Sequence, residues 1–253
     1  MKPAVLITGA TKRIGRTMAE TFGAANWHVV IHHRDSAEDA QALADSLPSA
    51  EIIACELGDV NACTAMISHL SARLTDWRAL INCAAMFDSD TAEALDPAVF
   101  AETMVVNAEA PAMLAQSFIA NACSNSGRRV INVLDQKLRN PNPDFFSYTM
   151  AKHALSAATR MLAMALAKAH HEDRVYGLAP GAMLPSFDQR REEHEVSGRM
   201  NLLHRLTDPQ ELADAALFLC NGWLASGETL FVDSGQHLLA QPRDVLYLAR
   251  GLT

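Results

Sequence analysis

Short apolar runs rich in Val and Ile alternate along the chain with longer segments of helical period. Runs of this kind are typical of strands buried on both faces, and their alternation with helices is typical of a parallel sheet covered by helices. The pattern predicts strands at residues 5–8, 28–31, 52–55, 79–83, 130–134, 175–179 and 230–233. It predicts helices near residues 14–25, 36–47, 59–75, 97–120, 148–170 and 208–221.

No linker, repeat or low-complexity tract divides these elements. We therefore expect residues 1–253 to form a single α/β domain, a doubly wound seven-stranded parallel sheet of Rossmann type with helices on both faces. Residues 181–207 show neither period, and so long a loop in a compact domain is usually functional, such as an active-site lid, or poorly ordered. We expect it to be a substrate-loop region within the domain. Ligands of such sheets bind beyond the carboxyl ends of the strands, so the chemistry is expected there.

Composition narrows the function. The chain is 49% hydrophobic and 20% charged, which excludes a disordered protein, and its net charge of −8 disfavours nucleic acid as a partner. The five cysteines show no paired spacing, which predicts reduced thiols in a cytoplasmic protein, and the ten histidines show no metal-ligand arrangement. No apolar run reaches the roughly 18 residues of a membrane span.

The first predicted strand runs into "TGATKRIG", residues 8–15. Gly9 permits a tight turn, Gly15 allows close packing, and the exposed start of the next helix offers N–H groups to a pyrophosphate. Arg13 and Ile14 stand where the usual fingerprint has its middle glycine and the residue after it. An ordinary turn is the alternative interpretation.

The end of the second strand indicates which dinucleotide is preferred. An NAD site has an acid there for the ribose 2′-hydroxyl, whereas "VIHHRDS" places His33 and Arg34 before any acid. A basic side chain pairs with a 2′-phosphate, and Arg13 adds a second charge. The sequence therefore predicts NADPH, with a solvated surface arginine as the alternative for Arg34.

Tyr148 and Lys152 lie one turn apart at the start of a predicted helix, so their side chains share a face. An ammonium beside a phenol is expected to lower the pKa of the tyrosine, which would make Tyr148 a proton donor near neutral pH. The alternative is an ordinary exposed helix pair.

Four motifs in this order, "TGATKRIG", "INCAA", "VVNAEAP" and the Tyr-x-x-x-Lys pair, resemble the short-chain dehydrogenase/reductase family over almost the whole chain. The resemblance implies that Tyr148 donates the proton, that Lys152 holds the nicotinamide ribose and that Asn107 orders a water. It also implies that Glu56 and Leu57 bracket the adenine. Together, these interpretations assign cofactor binding to Gly9, Arg13, Ile14, His33, Arg34, Glu56, Leu57, Asn82, Ala84, Lys152, Pro180 and Gly181.

The chain departs from the family at Asp135, which replaces the serine expected thirteen residues before the tyrosine, and at "NCAA". An ionised carboxylate only accepts hydrogen bonds, so it opposes a ketone oxygen that gains negative charge. It suits a nitrogen heterocycle, whose N–H groups donate to it while a C=N bond takes the hydride.

The same substitution makes the chain similar to the pteridine reductase and dihydromonapterin reductase branch of that family. This resemblance implies that Phe87 stacks on a pterin and that Arg13 contacts both the cofactor phosphates and the pterin edge. The substrate site is then expected to comprise Arg13, Phe87, Asp135 and Tyr148. A core role for Phe87 and a capping role for Asp135 are the alternatives.

The leading hypothesis is an NADPH-dependent reductase of a pterin or dihydropterin C=N bond. The alternatives are a reductase of a ketone or another imine, and an NADP-sensing protein without turnover. Small residues on the helix at 148–170 predict a homo-oligomer. The resemblance to the family implies that this oligomer is a tetramer. Leu246, Tyr247 and Leu248 in the C-terminal tail are expected to be buried, with a neighbouring subunit as one surface that could cover them.

Overall fold

The computed structural model describes residues 2–167, 171–186 and 188–251. Within them lies a seven-stranded sheet, all of whose pairings are parallel, in the order β3-β2-β1-β4-β5-β6-β7. The strands are β1 Ala4–Ile7, β2 His28–His33, β3 Ala50–Ala54, β4 Trp77–Asn82, β5 Arg129–Val133, β6 Arg174–Pro180 and β7 Thr229–Val232. The predicted α/β fold is confirmed, and each strand lies within two residues of its predicted bounds.

Helices cover both faces of the sheet. They are α1 Arg13–Ala24, α2 Ala37–Ser46, α3 Val60–Ser71, α4 Pro97–Met104, α5 Ala110–Asn121, α6 Phe146–Leu166, α7 Arg191–Ser197, α8 Pro209–Leu219 and α9 Val245–Arg250. One apolar core joins the strands to α1, α2 and α8, and a second joins the opposite face to α3 and α5. No helix in the described part of the chain has an apolar stretch long enough to cross a bilayer.

Three predicted elements differ from the structure. The helix predicted at 97–120 is divided into α4 and α5 by a single π-helical turn, Val105–Glu109. The segment 181–207 contains α7, at whose start the Glu193 carboxylate accepts the backbone N–H of Arg190 at 3.0 Å, so it is not wholly a loop. Helix α6 begins two residues before its predicted start, and the predicted end at 168–170 lies outside the described residues.

The strand order reverses beside β1, which lies between β2 and β4. The connections from β1 and β4 leave on opposite faces at such a point, and this opens a crevice at the carboxyl edge of the sheet. The fold therefore places the residues that follow β1, β2, β4 and β5 around a common space.

Candidate active site

A cavity of about 920 Å³ lies at the carboxyl edge of the sheet. Most of the residues predicted to bind ligands line it, and they come from separate strand ends. These are Gly9, Arg13, Ile14, Arg34, Glu56, Leu57, Ala84, Phe87, Asp135, Tyr148, Lys152, Pro180 and Gly181. Three predicted residues, His33, Asn82 and Asn107, are not among the lining residues.

The glycine-bearing turn after β1 is packed too closely to admit side chains. Gly9 has φ +65°, and a Cβ there would lie 3.0 Å from Cα of Ala84. A Cβ on Gly15 would lie 2.3 Å from the carbonyl oxygen of Gly9. Thr8 fixes the turn to the end of β4, because its hydroxyl oxygen accepts the backbone N–H groups of Cys83 and Ala84 at 2.9 and 3.0 Å. The backbone can thus approach a ligand closely, as a pyrophosphate cradle requires.

His32 holds this turn from the end of β2, a role that the sequence analysis missed. Its Nδ1 accepts the backbone N–H of Gly9 at 3.1 Å, so Nε2 carries the proton and donates to the carbonyl oxygen of Cys55 at 3.0 Å. Burial lowers the pKa of His32 to about 4. Adjacent strand residues face opposite sides of the sheet, so His32 reaches the turn and the side chain predicted for the cofactor, His33, does not line the cavity.

Basic side chains lie at the same end of the cavity. Arg34 is 59% exposed and lies 2.7 Å from the carboxylate of Asp35 and 3.8 Å from that of Glu56. Arg13 has φ +54° at the start of α1 and donates to the carbonyl oxygen of Pro185 at 2.8 Å. Because both arginines line the cavity beside the glycine turn, this end fits a dinucleotide with a 2′-phosphate.

Asp90 anchors the first turn of α6, which carries the tyrosine and lysine pair. The backbone N–H of Ser147 lies 3.0 and 3.2 Å from the two carboxylate oxygens of Asp90, and the Ser147 hydroxyl also donates to Asp90. Phe145, the residue before the first residue of α6, adopts a left-handed conformation with φ +52°. These contacts fix where Tyr148 enters the cavity.

Tyr148 and Asp135 are brought together as the sequence predicts. The Tyr148 hydroxyl donates to Oδ2 of Asp135 at 3.1 Å, and Oδ1 of the same carboxylate accepts the backbone N–H of Lys137 at 2.8 Å. Asp135 therefore caps the short 3₁₀ turn Gln136–Leu138 and also contacts the tyrosine. The same side chain thus caps a turn, as the alternative interpretation expects, and contacts Tyr148 in the cavity wall, as the active-site interpretation expects.

The electrostatics differ from the prediction for Tyr148. Its pKa lies well above the ordinary value because the phenol is buried and faces the negative charge of Asp135. The ammonium of Lys152 instead donates to the carbonyl oxygen of Val133 at 2.7 Å and lies 5.5 Å from the centre of the tyrosine ring. The prediction that Lys152 lowers the pKa of Tyr148 is therefore wrong in this structure.

Burial also shifts the pKa values of Asp135 and Lys152, the two charged groups beside Tyr148. Although part of Asp135 faces the cavity, protein surrounds its carboxylate, and desolvation raises its pKa against the opposing charge of Lys137. Desolvation lowers the pKa of Lys152 to about 8. Each shift favours the neutral form of its group, so Asp135 binds a proton more readily, and Lys152 releases one more readily, than either would in water.

The two asparagines support the frame of the cavity. Asn107 lies in the π-helical turn, where its side chain accepts the N–H of Met86 and donates to the Met86 carbonyl, both at 2.8 Å. Asn82 donates to the carbonyl oxygen of Pro111 at 3.2 Å and to Oδ1 of Asn132 at 2.8 Å. Both polar atoms of the Asn107 side chain thus contact Met86, and the water-ordering role of Asn107 stays a prediction.

Phe87 belongs to a set of aromatic rings at the far end of the cavity. Its ring is stacked on Phe145 with 4.1 Å between centroids, and it lies in a T-shaped arrangement with Tyr148, with 4.7 Å between centroids. Phe145 is in turn stacked on Tyr247 at 5.9 Å. One face of Phe87 is therefore covered by protein, as the alternative of a core role expects. The residue also lies on the cavity wall.

The C-terminal tail closes this end of the cavity within the same chain. Val245 and Leu246 of α9 line the cavity, and Leu246 packs in one apolar cluster with Phe145 and Tyr148. Asp244, which precedes α9, forms an ion pair with Lys137. The expected burial is confirmed for Leu246, which packs within its own chain and not against a neighbouring subunit, whereas Tyr247 and Leu248 are half-buried. No pattern in the sequence indicated the pairing of Asp244 with Lys137.

The fold and this cavity define an oxidoreductase of the Rossmann type, and comparison with known proteins agrees. The family described as "Enoyl-(Acyl carrier protein) reductase" matches residues 9–237. Pteridine reductase 1 of Leishmania tarentolae is 26% identical, over 93% of this chain and 96% of that protein. A putative ketoacyl reductase of the granaticin polyketide synthase of Streptomyces violaceoruber is also 26% identical, over 94% of this chain and 97% of that protein.

A solved structure gives a similar result. FolM alternative dihydrofolate reductase 1 from Brucella canis, complexed with NADP, is 32% identical with a TM-score of 0.87, and the match covers 96% of each chain. The chain belongs to the short-chain dehydrogenase/reductase family, and its relatives include proteins of the pteridine reductase branch. Because members of the family use NAD or NADP, the prediction of a nicotinamide cofactor is confirmed.

Proposed function

We propose that this protein is an NADPH-dependent reductase that transfers hydride to a C=N bond of a pterin or dihydropterin. The observation that carries the proposal is the hydrogen bond between Tyr148 and the Asp135 carboxylate, 3.1 Å long, in the wall of the cavity. A serine at that position would donate to a carbonyl oxygen, whereas a carboxylate accepts from the amino and ring N–H groups of a pterin. The similarity to pteridine reductase 1 and to FolM supports the same substrate class.

The cofactor end of the cavity suits NADPH. The turn at Gly9 and Gly15 admits the pyrophosphate, and Arg34 lies where a 2′-phosphate would need a cation. Lys152 would hold the nicotinamide ribose, and Glu56 and Leu57 would lie beside the adenine. NADPH in this position supplies the hydride.

The residues of the chain manage the proton. Tyr148 keeps its proton on Oη, because burial and the Asp135 charge raise its pKa, and Asp135 orients that O–H through Oδ2. A substrate nitrogen that gains electron density can take this proton, or one carried by Asp135, whose pKa is also raised. Phe87, which lines the cavity, offers an aromatic surface for the planar ring.

A direct assay mixes the protein with NADPH and dihydrobiopterin, dihydromonapterin or dihydrofolate and follows the loss of NADPH absorbance. We expect turnover of at least one of the three and a loss of about 100-fold or more in Tyr148→Phe, which lacks the proton. NADPH binding in Tyr148→Phe should stay close to that of the wild type. Binding of NADPH with no turnover of any of the three, at micromolar protein, would contradict the proposal.

One observation favours a second candidate, reduction of a ketone. The raised pKa of Asp135 increases the share of its protonated form, which donates a hydrogen bond to a carbonyl oxygen. The ketoacyl reductase from Streptomyces violaceoruber is as similar in sequence as the pteridine reductase. Activity on a panel of ketones that exceeds activity on dihydropterins would support this candidate.

A further inference from the structure

A buried ion pair joins the C-terminal tail to the wall of the cavity. The Lys137 ammonium lies 2.5 Å from Oδ2 of Asp244, and these side chains are only 4% and 11% exposed. The ammonium also donates to the carbonyl oxygen of Asp144 at 3.3 Å and lies 5.1 Å from the centre of the Phe145 ring. Both Lys137 and Asp244 line the cavity.

Lys137 acts on Asp135 in two ways, one through its backbone and one through its charge. Its backbone N–H donates to Oδ1 of the carboxylate at 2.8 Å, which leaves Oδ2 to Tyr148. Its positive charge lies close enough to favour the ionised carboxylate, whereas the negative charge of Asp244 disfavours it. The two members of the ion pair therefore act on Asp135 in opposite directions.

Asp244 is held by the tail itself. Its Oδ1 accepts the backbone N–H of Leu246 at 3.0 Å, which caps α9, and its own N–H donates to Asp144 at 2.8 Å. Asp144 is paired with Arg243 at 2.7 Å. The position of the Asp244 charge is thus fixed by the docking of the tail.

We propose that Lys137 is a positioning residue for Asp135, that its charge opposes the effect of burial and favours the ionised carboxylate, and that Asp244 of the C-terminal tail limits this effect. The proposal rests on the proposed function in that it makes the tail part of the device that prepares Asp135 to accept substrate N–H groups. It assigns Lys137 and Asp244 an electrostatic role, distinct from simply holding the tail in place.

Other titratable and charged groups also lie near Asp135, and these residues must be left unchanged in the variants that test the proposal. Tyr148 and Lys152 approach from α6, and Cys83 at the end of β4 faces these two. The Asp144 and Arg243 pair lies behind Asp244. None of these groups is altered in the variants below, so a change in the titration of Asp135 reports on Lys137 and Asp244.

The experiment titrates the Asp135 carboxyl by infrared difference spectroscopy of the full-length protein, with Asp135→Asn used to assign the band. In Lys137→Met, we expect the midpoint to move to higher pH by about one pH unit or more, because a neighbouring cation is lost. In Asp244→Asn, we expect it to move to lower pH. The double variant Lys137→Met/Asp244→Asn should lie between the two, because the lost charges offset each other.

Opposite shifts separate the proposal from a structural role. Both single variants break the same ion pair, so weakened docking of the tail alone would move the midpoint in the same direction in both. Arg250→Gln is the matched control, since it removes the tail's contacts with Asp188 and Glu193 but leaves Lys137 in place, and we expect no shift. Shifts of the same sign, or no shift in Asp244→Asn, would overturn the proposal, and Asp244→Asn decides the matter if Lys137→Met does not fold.

The spectroscopic titration needs no turnover, so it tests this inference even if no pterin is reduced. If dihydrobiopterin is a substrate, the limb of kcat/KM that reports Asp135 should move in the same directions as the infrared midpoints. An absence of pterin turnover together with opposite infrared shifts would refute the substrate class alone. Turnover with unshifted midpoints would refute the role of Lys137 alone.

Discussion

The hydroxyl of Tyr148 donates a hydrogen bond to Oδ2 of Asp135, with 3.1 Å between the oxygen atoms. The phenol comes from α6 and the carboxylate from the end of β5, and both are surrounded by protein. An acceptor at this point selects ligands that bring hydrogen-bond donors. The choice of substrate class depends on this contact.

Replacement of Asp135 by serine should exchange one substrate preference for another. A hydrogen bond to a charged group contributes about 1.5–3 kcal/mol, so Asp135→Ser should lower kcat/KM for a dihydropterin by about 10- to 100-fold. The hydroxyl of the new serine can donate to a carbonyl, so activity on small ketones should rise. Steady-state assays on both substrate classes measure the change, and unaltered kinetics on both would rule out a role for this carboxylate in recognition.

Asp90 should affect catalysis although it does not line the cavity. Asp90→Ala removes the acceptor for the Ser147 N–H and hydroxyl, and the loss of such a buried acceptor costs about 1–3 kcal/mol in the free energy of unfolding. Because this turn positions Tyr148, we expect kcat to fall while KM for NADPH changes little. Asp90→Asn, which keeps one acceptor oxygen, is the matched control and should recover much of the loss. Equal kcat in the wild type and Asp90→Ala would show that the turn does not depend on this anchor.

His32 should make the stability of the protein depend on pH. Its pKa is about 4 in the folded chain and 6.5 as an unperturbed group, so the unfolded state binds more protons between these values. The free energy of unfolding should therefore be highest above pH 6.5 and should fall as the pH drops toward 4, by roughly 3 kcal/mol.

His32→Gln, whose amide oxygen can accept the N–H of Gly9, should remove this contribution. Denaturant unfolding of the wild type and the variant at pH 7 and pH 4.5 tests it. The range from pH 4.5 to pH 7 lies above the pH at which protonation of Glu51 should lower the free energy of unfolding. Hydrogen bonds and charge from His28 and Arg73 lower the pKa of Glu51 to about 2 despite its burial. A variant as sensitive to pH as the wild type would count against the assignment.

The exposed methionines of α6 should lie in an interface between copies of the chain. Met161 and Met164 are 69% and 75% exposed and one turn apart on the helix expected to form the oligomer. Light scattering should give a homo-oligomer at micromolar protein, and Met161→Glu/Met164→Glu should give a smaller species. Leu203→Glu, at a position that is 61% exposed outside this helix, is the control and should leave the mass unchanged. A monomeric wild type would refute the prediction.

The strands could be predicted from sequence because runs of β-branched residues buried on both faces leave a local signal. The π-helical turn at Val105–Glu109 could not, because apolar residues continue through it with nearly the same spacing as in an α-helix. The choice between His32 and His33 also escaped the pattern. Both faces of β2 are buried, so alternation of polarity gives no phase for the side chains.

Some residues of the candidate site could likewise be predicted from the sequence, and others could not. Gly9, Tyr148, Lys152 and Asp135 belong to short motifs whose order along the chain predicts where they meet. Lys137 and Asp244 are far apart in sequence and become partners only when the tail folds over the cavity. The lowered pKa expected for Tyr148 failed for a related reason, since the burial of the phenol and the direction of the Lys152 ammonium are properties of the packed structure.

The most direct test of the central claim follows the hydride itself. The protein is incubated with a dihydropterin and with NADPH that carries deuterium on the transferring face of its nicotinamide, and the product is examined by NMR. We predict one deuterium on the ring carbon of the former C=N bond, formed at least 10-fold more slowly by Asp135→Ser. Recovery of the pterin without deuterium, while a ketone under the same conditions acquires it, would contradict the account.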